Sequence, residues 1–257
     1  MIIEIVFILR GIKDMKLKHK IDKVVSTISE RISSGGVSQV EVKAEGERDI
    51  FGNMPNLIRE AAGEGIVLLK NNNALPYNKD TKISVFGRCQ LDYFYVGYGS
   101  GGDVNAPYFV NVIDGIKNAG GKVNEWLLNY YKDFSKNNPA PHGFWGHWPM
   151  SFEEPHLDDE TVKRASEESD VALVVIGRAA GEDRENTLTK GSYYLTDEER
   201  KLLDQVCNNF SNVTVLLDCG NVIDMQWVLD YNDRLRGIIY AWQGGMESGN
   251  AIADVLY

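Results

Sequence analysis

The chain has 257 residues, 43% of them hydrophobic and 25% charged, with only 7 Pro, a balance that excludes disordered, collagen-like and fibrous classes and leaves a soluble globular protein with material for a sizeable core. Lys and Arg number 27 against 37 Asp and Glu, a formal charge of −10 that repels phosphate backbones and argues against a nucleic-acid partner. No apolar run approaches the roughly 18 to 20 residues that span a bilayer, which argues against a membrane role.

Residues 1–50 differ in texture from the rest and are expected to form an N-terminal extension. The run Ile2 to Leu9 is apolar but carries Glu4, lacks a basic region before it and has no small-residue cleavage site after it, so it does not read as a secretory signal. A buried strand and a translated leader ahead of Met15 both fit it. From about Phe51 the pattern becomes regular, and residues 51–257 are expected to form one main domain.

In chain order, helical periodicity predicts helices over Asn56 to Lys70, Val110 to Ala119, Glu125 to Lys136, Asp159 to Glu168, Asp197 to Phe210 and Glu247 to the end. Short apolar runs predict strands over Ile83 to Phe86, Val171 to Ile176, Val213 to Leu217 and Gly237 to Tyr240, with a weaker one around Lys122 to Asn124. Thr196 followed by Glu199 is a capping box, each side chain satisfying a free amide of the first helical turn. Strands alternating with helices predict an α/β fold in which a mostly parallel sheet is sandwiched between helices.

In such sheets the loops leaving the carboxyl ends of the strands form the ligand crevice. Here these loops are rich in glycine and polar side chains: Gly87-Arg88-Cys89 to Asp103, Gly177-Arg178 to Asn186, Asp218-Cys219-Gly220-Asn221, and Trp242-Gln243-Gly244-Gly245. Gly97, Gly99 and Gly102 satisfy G-x-G-x-x-G, but about ten residues separate them from the strand ending at Phe86, and Pro107 follows too soon for a helix to open at a phosphate. The spacing favours a loop shaped to approach a substrate over a nucleotide site. His142, His147 and His156 lie in a segment rich in Pro and Trp that cannot be one regular helix, and no H-E-x-x-H motif occurs, so no metal site is expected. Trp145 and Trp148 in that segment suit either sugar stacking or packing.

The three cysteines, Cys89, Cys207 and Cys219, are widely spaced without C-x-x-C, which predicts buried free thiols and a reducing, cytoplasmic compartment. Gly181-Glu182-Asp183-Arg184-Glu185-Asn186 packs three carboxylates and a guanidinium into one loop. Neighbours in an extended loop point to opposite sides, so Glu182 and Asp183 cannot both face one substrate atom, and one of them is expected to pair with Arg184.

Gly63-Glu64-Gly65-Ile66-Val67-Leu68-Leu69-Lys70-Asn71 through Ala74-Leu75-Pro76, then Val85-Phe86-Gly87, Gly99-Ser100-Gly101, Gly181-Glu182 with Asp183-Arg184, and Ala241-Trp242-Gln243-Gly244-Gly245 with Ala251 to Leu256 resemble, in order and spacing, the α/β-sandwich domain of glycoside hydrolase family 3, the β-glucosidases and their relatives. The resemblance runs from about Asn56 to the end. It implies a retaining glycosidase acting on small β-glycosides without metal or organic cofactor. The nucleophilic Asp of such an enzyme lies in a (β/α)8 barrel, and the acid/base Glu is lent by the sandwich domain. By the same resemblance Glu182 stands at the acid/base position, with Glu185 as the alternative because this loop is shorter than the family's common Gly-Glu-Gly-Tyr-Asp-Arg form. Ser100 matches a loop serine that contacts the sugar, and Gly99, Asp103 and Arg184 complete the expected substrate-binding set. No segment resembles the barrel, which alone takes about 250 residues. The chain therefore reads as a part, truncated at its C-terminus, of a member with the sandwich first and the barrel after, and expected to be inactive by itself. A non-catalytic carbohydrate-binding or interaction module using the same loops is the alternative function, and the oligomeric state is left open.

Overall fold

A computed structural model describes residues 52–257 apart from 101, 103, 105, 144, 145, 183, 184 and 232. The expected extension, Trp145, Asp103 and Arg184 thus lie outside the described residues. The elements in chain order are α1 (Met54–Gly65), β1 (Val67–Asn71), β2 (Lys82–Phe86), α2 (Val112–Asn118), β3 (Lys122–Val123), α3 (Glu125–Asn137), α4 (Asp159–Glu167), β4 (Val171–Arg178), α5 (Asp197–Asn209), β5 (Val213–Cys219), β6 (Leu235–Tyr240) and α6 (Ser248–Leu256), with single 3₁₀ turns at Arg88–Gln90 and Gln226–Asp230.

Six strands form one sheet in the order β1-β6-β5-β4-β2-β3, all parallel except β1, which runs antiparallel to β6. The α/β architecture and its mostly parallel sheet are as expected. Every residue of β4 and of β5 is buried, because both strands are covered on both faces. Along β4 the period-2 alternation sends Ala172, Val174 and Ile176 into a core with α3, α4 and α5, and Val171, Leu173 and Val175 into a second core with α2 and α6. These two apolar layers hold the sheet between its helices.

One expectation fails. The predicted helix Asn56 to Lys70 ends at Gly65, and Val67–Asn71 leaves it as the edge strand β1, pairing Val67 with Tyr240 and Asn71 with Gly237. Gly63 and Gly65 weaken the last helical turn, Ile66 turns extended (φ −69°, ψ 134°), and the apolar run that follows is taken up by the free edge of β6. Strands β4 and β5 also run further than predicted, so Gly177-Arg178 and Asp218-Cys219 belong to strands rather than to loops.

The chain places β3 on one side of β2 and then β4, β5 and β6 on the other. The strand order therefore reverses between β2 and β4. In open parallel sheets the crevice outside the carboxyl ends of the strands at such a switch point is where ligands bind.

Candidate active site

Two loops meet at this switch point, one leaving β2 and one leaving β4. The β2 loop is turned at Gly87, whose φ of +91° and whose approach to the Val175 carbonyl leave no room for a side chain: a Cβ there would lie 2.0 Å from that oxygen. Its amide donates to the Tyr131 hydroxyl (2.9 Å), and the Gln90 amide nitrogen donates to the carbonyls of Val85 and Gly87 (3.0 Å each). Further along, the Phe94 amide donates to Asp218 Oδ2 (2.7 Å), and the Phe94 ring stacks on Phe152 with centroids 4.4 Å apart. Asp218 is fully buried, and burial holds its carboxyl well above the usual carboxylate range. Tyr98 stacks on the buried Trp148 at 5.5 Å with rings 3° from parallel. Trp148 is thus packing under the loop.

The β4 end is anchored by Arg178, fully buried, whose guanidinium and Nε donate to both carboxylate oxygens of Glu199 (2.6 Å each) and to the carbonyls of Gly177, Ser192 and Tyr194 (2.7, 3.0 and 3.2 Å). All five donors of the fork are thereby used. Glu199 Oε2 also accepts the Thr196 amide (2.8 Å), closing the predicted capping box of α5. At the root of the β2 loop the buried Glu154 accepts the Arg88 amide at both oxygens (2.8 and 3.0 Å), and burial, aided by the charge of Glu199, pushes its carboxyl up to about 8.

Past these anchors the two loops pair like strands. The Tyr98 amide donates to the Ala180 carbonyl (2.8 Å), the Glu182 amide donates to the Tyr98 carbonyl (3.1 Å), and Tyr98 and Gly181 form a parallel bridge. This pairing sets Glu182 opposite Gly99 and Ser100. The Ser100 hydroxyl and amide both donate to Glu182 Oε2, at 2.5 and 2.8 Å. Gly99 has φ +120°, and a Cβ on it would lie 2.5 Å from the Glu182 Cβ, so only glycine lets the strands come this close. Glu182 is exposed, and its two bonds from Ser100 hold its carboxyl below the ordinary value.

Of the predicted site residues the structure thus brings Gly99, Ser100 and Glu182 together. Glu185 is exposed, and among the described residues no hydrogen bond joins it to Ser100 or Glu182. The chain beyond it is drawn toward the β5 loop, where Asn186 donates to the Val222 carbonyl (2.7 Å) and accepts from the Ser192 hydroxyl (2.5 Å). Asp103, Arg184 and Asp183, and with them the expected pairing to Arg184, lie outside the described residues. Tyr98, whose backbone places Glu182, was missed: its role is carried by main-chain atoms, which any residue type supplies. Cys89, Cys207 and Cys219 are buried free thiols, as expected. Among the described residues no three His, Cys, Asp or Glu side chains come together as metal ligands, and no helix is long and apolar enough to cross a membrane.

Residues 66–257 match the glycosyl hydrolase family 3 C-terminal domain. The chain belongs to glycoside hydrolase family 3. It is 46% identical over 198 residues to a β-glucosidase of Ruminococcus albus, an alignment that covers 77% of this chain and 21% of that protein, and 33% identical over 222 residues to β-glucosidase A of Butyrivibrio fibrisolvens, covering 77% and 26%. Among solved structures, a β-glucosidase from Paenibacillus barengoltzii superposes with a TM-score of 0.77 at 45% identity over 79% of this chain and 22% of the other. β-Glucosidase 3B from Thermotoga neapolitana, solved in complex with glucose, does so with a TM-score of 0.73 at 31% identity over 81% and 30%. The chain spans about a fifth to three tenths of the length of these relatives.

Proposed function

We propose that the chain supplies the general acid/base, Glu182, and part of the sugar subsite of a retaining β-glycosidase that hydrolyses small β-glycosides in the cytoplasm, the nucleophilic Asp coming from a (β/α)8 barrel. The observation that carries this reading is the placement of one exposed carboxylate at the β2/β4 switch point, on the loop that bears the family motif, braced by the loop that bears Gly99-Ser100. A retaining mechanism needs a second carboxyl about 5 to 5.5 Å away across the glycosidic bond. That group belongs to the barrel, so the chain alone is inactive.

Glu182 has two tasks in this scheme. It protonates the leaving oxygen when the sugar is transferred to the nucleophile, then takes a proton from the water that releases the sugar. Ionised, as its bonds to Ser100 favour, it is ready for the second task. The first requires a proton, and enclosure of the exposed carboxyl by barrel and substrate raises its pKa in the needed direction.

The test is Glu182→Ala in the barrel-containing enzyme. Glycosides with alkyl or sugar leaving groups should lose about 10² to 10⁴-fold in turnover, while activated aryl glycosides should still form the glycosyl-enzyme and show a burst. Azide, which attacks without base help, should restore turnover and yield a β-glycosyl azide. Glu185→Ala showing this signature in place of Glu182→Ala would overturn the assignment.

A further inference from the structure

The two Ser100 donors do not share themselves between the oxygens of Glu182: the amide at 2.8 Å and the hydroxyl at 2.5 Å both end on Oε2. Among the described residues Oε1 accepts no hydrogen bond. The root of the side chain is held as well, since the Glu182 amide is bonded to the Tyr98 carbonyl (3.1 Å) and its Cβ lies against Gly99, where even one added carbon would come within 2.5 Å. Which oxygen of the carboxylate faces Ser100 is therefore set by the neighbouring loop, on an otherwise exposed side chain.

We propose that Ser100 is the positioning residue of Glu182, occupying Oε2 with two donors so that Oε1 is the oxygen that gives and takes the proton. The proposal rests on the acid/base reading of Glu182 and adds to it which oxygen reacts and what selects it. An oxygen that accepts two hydrogen bonds is the weaker base of the pair, so a proton arriving on the carboxyl goes to Oε1. A hydroxyl and an amide stabilise the ionised form, and the two bonds from Ser100 hold the Glu182 carboxyl below its ordinary value. Asp183, Arg184 and Glu185, next in the chain, and Asp103 are the remaining charged groups near Glu182 and Ser100 in sequence.

The 257-residue chain itself provides the test, by carboxyl-carbon NMR titration with the Glu182 signal assigned from its loss in Glu182→Gln. In the wild type this carboxyl should titrate below the exposed glutamates. Ser100→Ala keeps the amide bond but loses the hydroxyl, and should move the midpoint upward. Ser100→Thr keeps the hydroxyl and should hold it down. Amide spectra establish that each variant folds, and the site is exposed enough for both to do so. In the barrel-containing enzyme the basic limb of the pH profile of kcat/KM, where the general acid loses its proton, should shift upward in Ser100→Ala and not in Ser100→Thr, a change that a merely structural serine would not produce. A Glu182 midpoint unmoved by Ser100→Ala overturns the proposal, even where Glu182→Ala upholds the acid/base reading. A midpoint that moves while Glu182→Ala keeps full turnover overturns that reading, and the positioning role with it.

Discussion

Glu199 and Glu182 are two carboxylates served by the same stretch of chain, and they are held in opposite ways. Glu199 is buried, accepts two bonds from the Arg178 fork and closes the cap of α5. Glu182, four residues past Arg178, is exposed and receives its two bonds from an uncharged serine. A buried ion pair with every donor used stiffens its surroundings but cannot change its protonation cheaply, because either charge left alone in the interior is strongly unfavourable. A carboxylate in water held by neutral donors keeps its position and can still take up a proton. The rigid pair therefore suits the root of the loop and the serine-held carboxylate suits its tip.

That contrast is most open to attack at Arg178. Arg178→Met should cost about 3 to 5 kcal/mol in urea unfolding, since it strands the Glu199 carboxylate in the interior; a loss under 1 kcal/mol would mean that the anchor is not electrostatic. Next comes Glu154, whose carboxyl is raised from an ordinary unfolded value of about 4.3 to about 8. Between these two pH values the folded chain keeps a proton that the unfolded chain has released, so the contribution of this group to stability is full below about 4.3 and is lost as pH rises toward about 8. Asp218 titrates in the same direction, so the reading is a difference: urea midpoints of the wild type should fall relative to those of Glu154→Gln across this window, by the equivalent of a few kcal/mol. Parallel midpoints would show Glu154 to be ionised throughout. Thr196→Ala removes the hydroxyl that accepts the Glu199 amide (3.1 Å) and should cost about 1 kcal/mol, leaving the Arg178 pair in place. The smallest effect belongs to Glu182→Gln, which should leave unfolding within about 0.5 kcal/mol of the wild type, as an exposed substitution away from any anchor does. A large loss there would abolish the distinction between root and tip.

The legibility of these regions in the sequence follows the same division. Strands β4 and β5 were visible because burial on both faces demands continuous apolar runs, and the α5 cap because Thr196 and Glu199 are a local pair. Strand β1 reads as helix in the sequence because its identity comes from the free edge of β6, 166 to 173 residues further on. Its Val67, Leu68 and Leu69 are apolar yet remain 42 to 51% exposed, so no inward and outward alternation marks them as a strand. Gly99, Ser100 and Glu182 were read from family motifs. That Ser100 would bond Glu182, where Arg184 was expected as a carboxylate partner in the loop, was not readable, because the approach of the two loops is made by the main chain of Tyr98 and Ala180.

The bridge between Tyr98 and Gly181 makes the tip of the β4 loop a counted distance from the sheet. In paired extended chains successive side chains alternate in direction, so a single residue inserted between Arg178 and Glu182 would turn the carboxylate away from Ser100, whereas a change of length beyond Glu182 would leave its direction alone. With Glu182 as the acid/base proposed above, the shortening of this loop relative to Gly-Glu-Gly-Tyr-Asp-Arg falls beyond it. Length variation among such loops should therefore be tolerated on one side of the glutamate and forbidden on the other, and grafting a longer loop from a relative onto this chain should succeed only when the splice is made after residue 182.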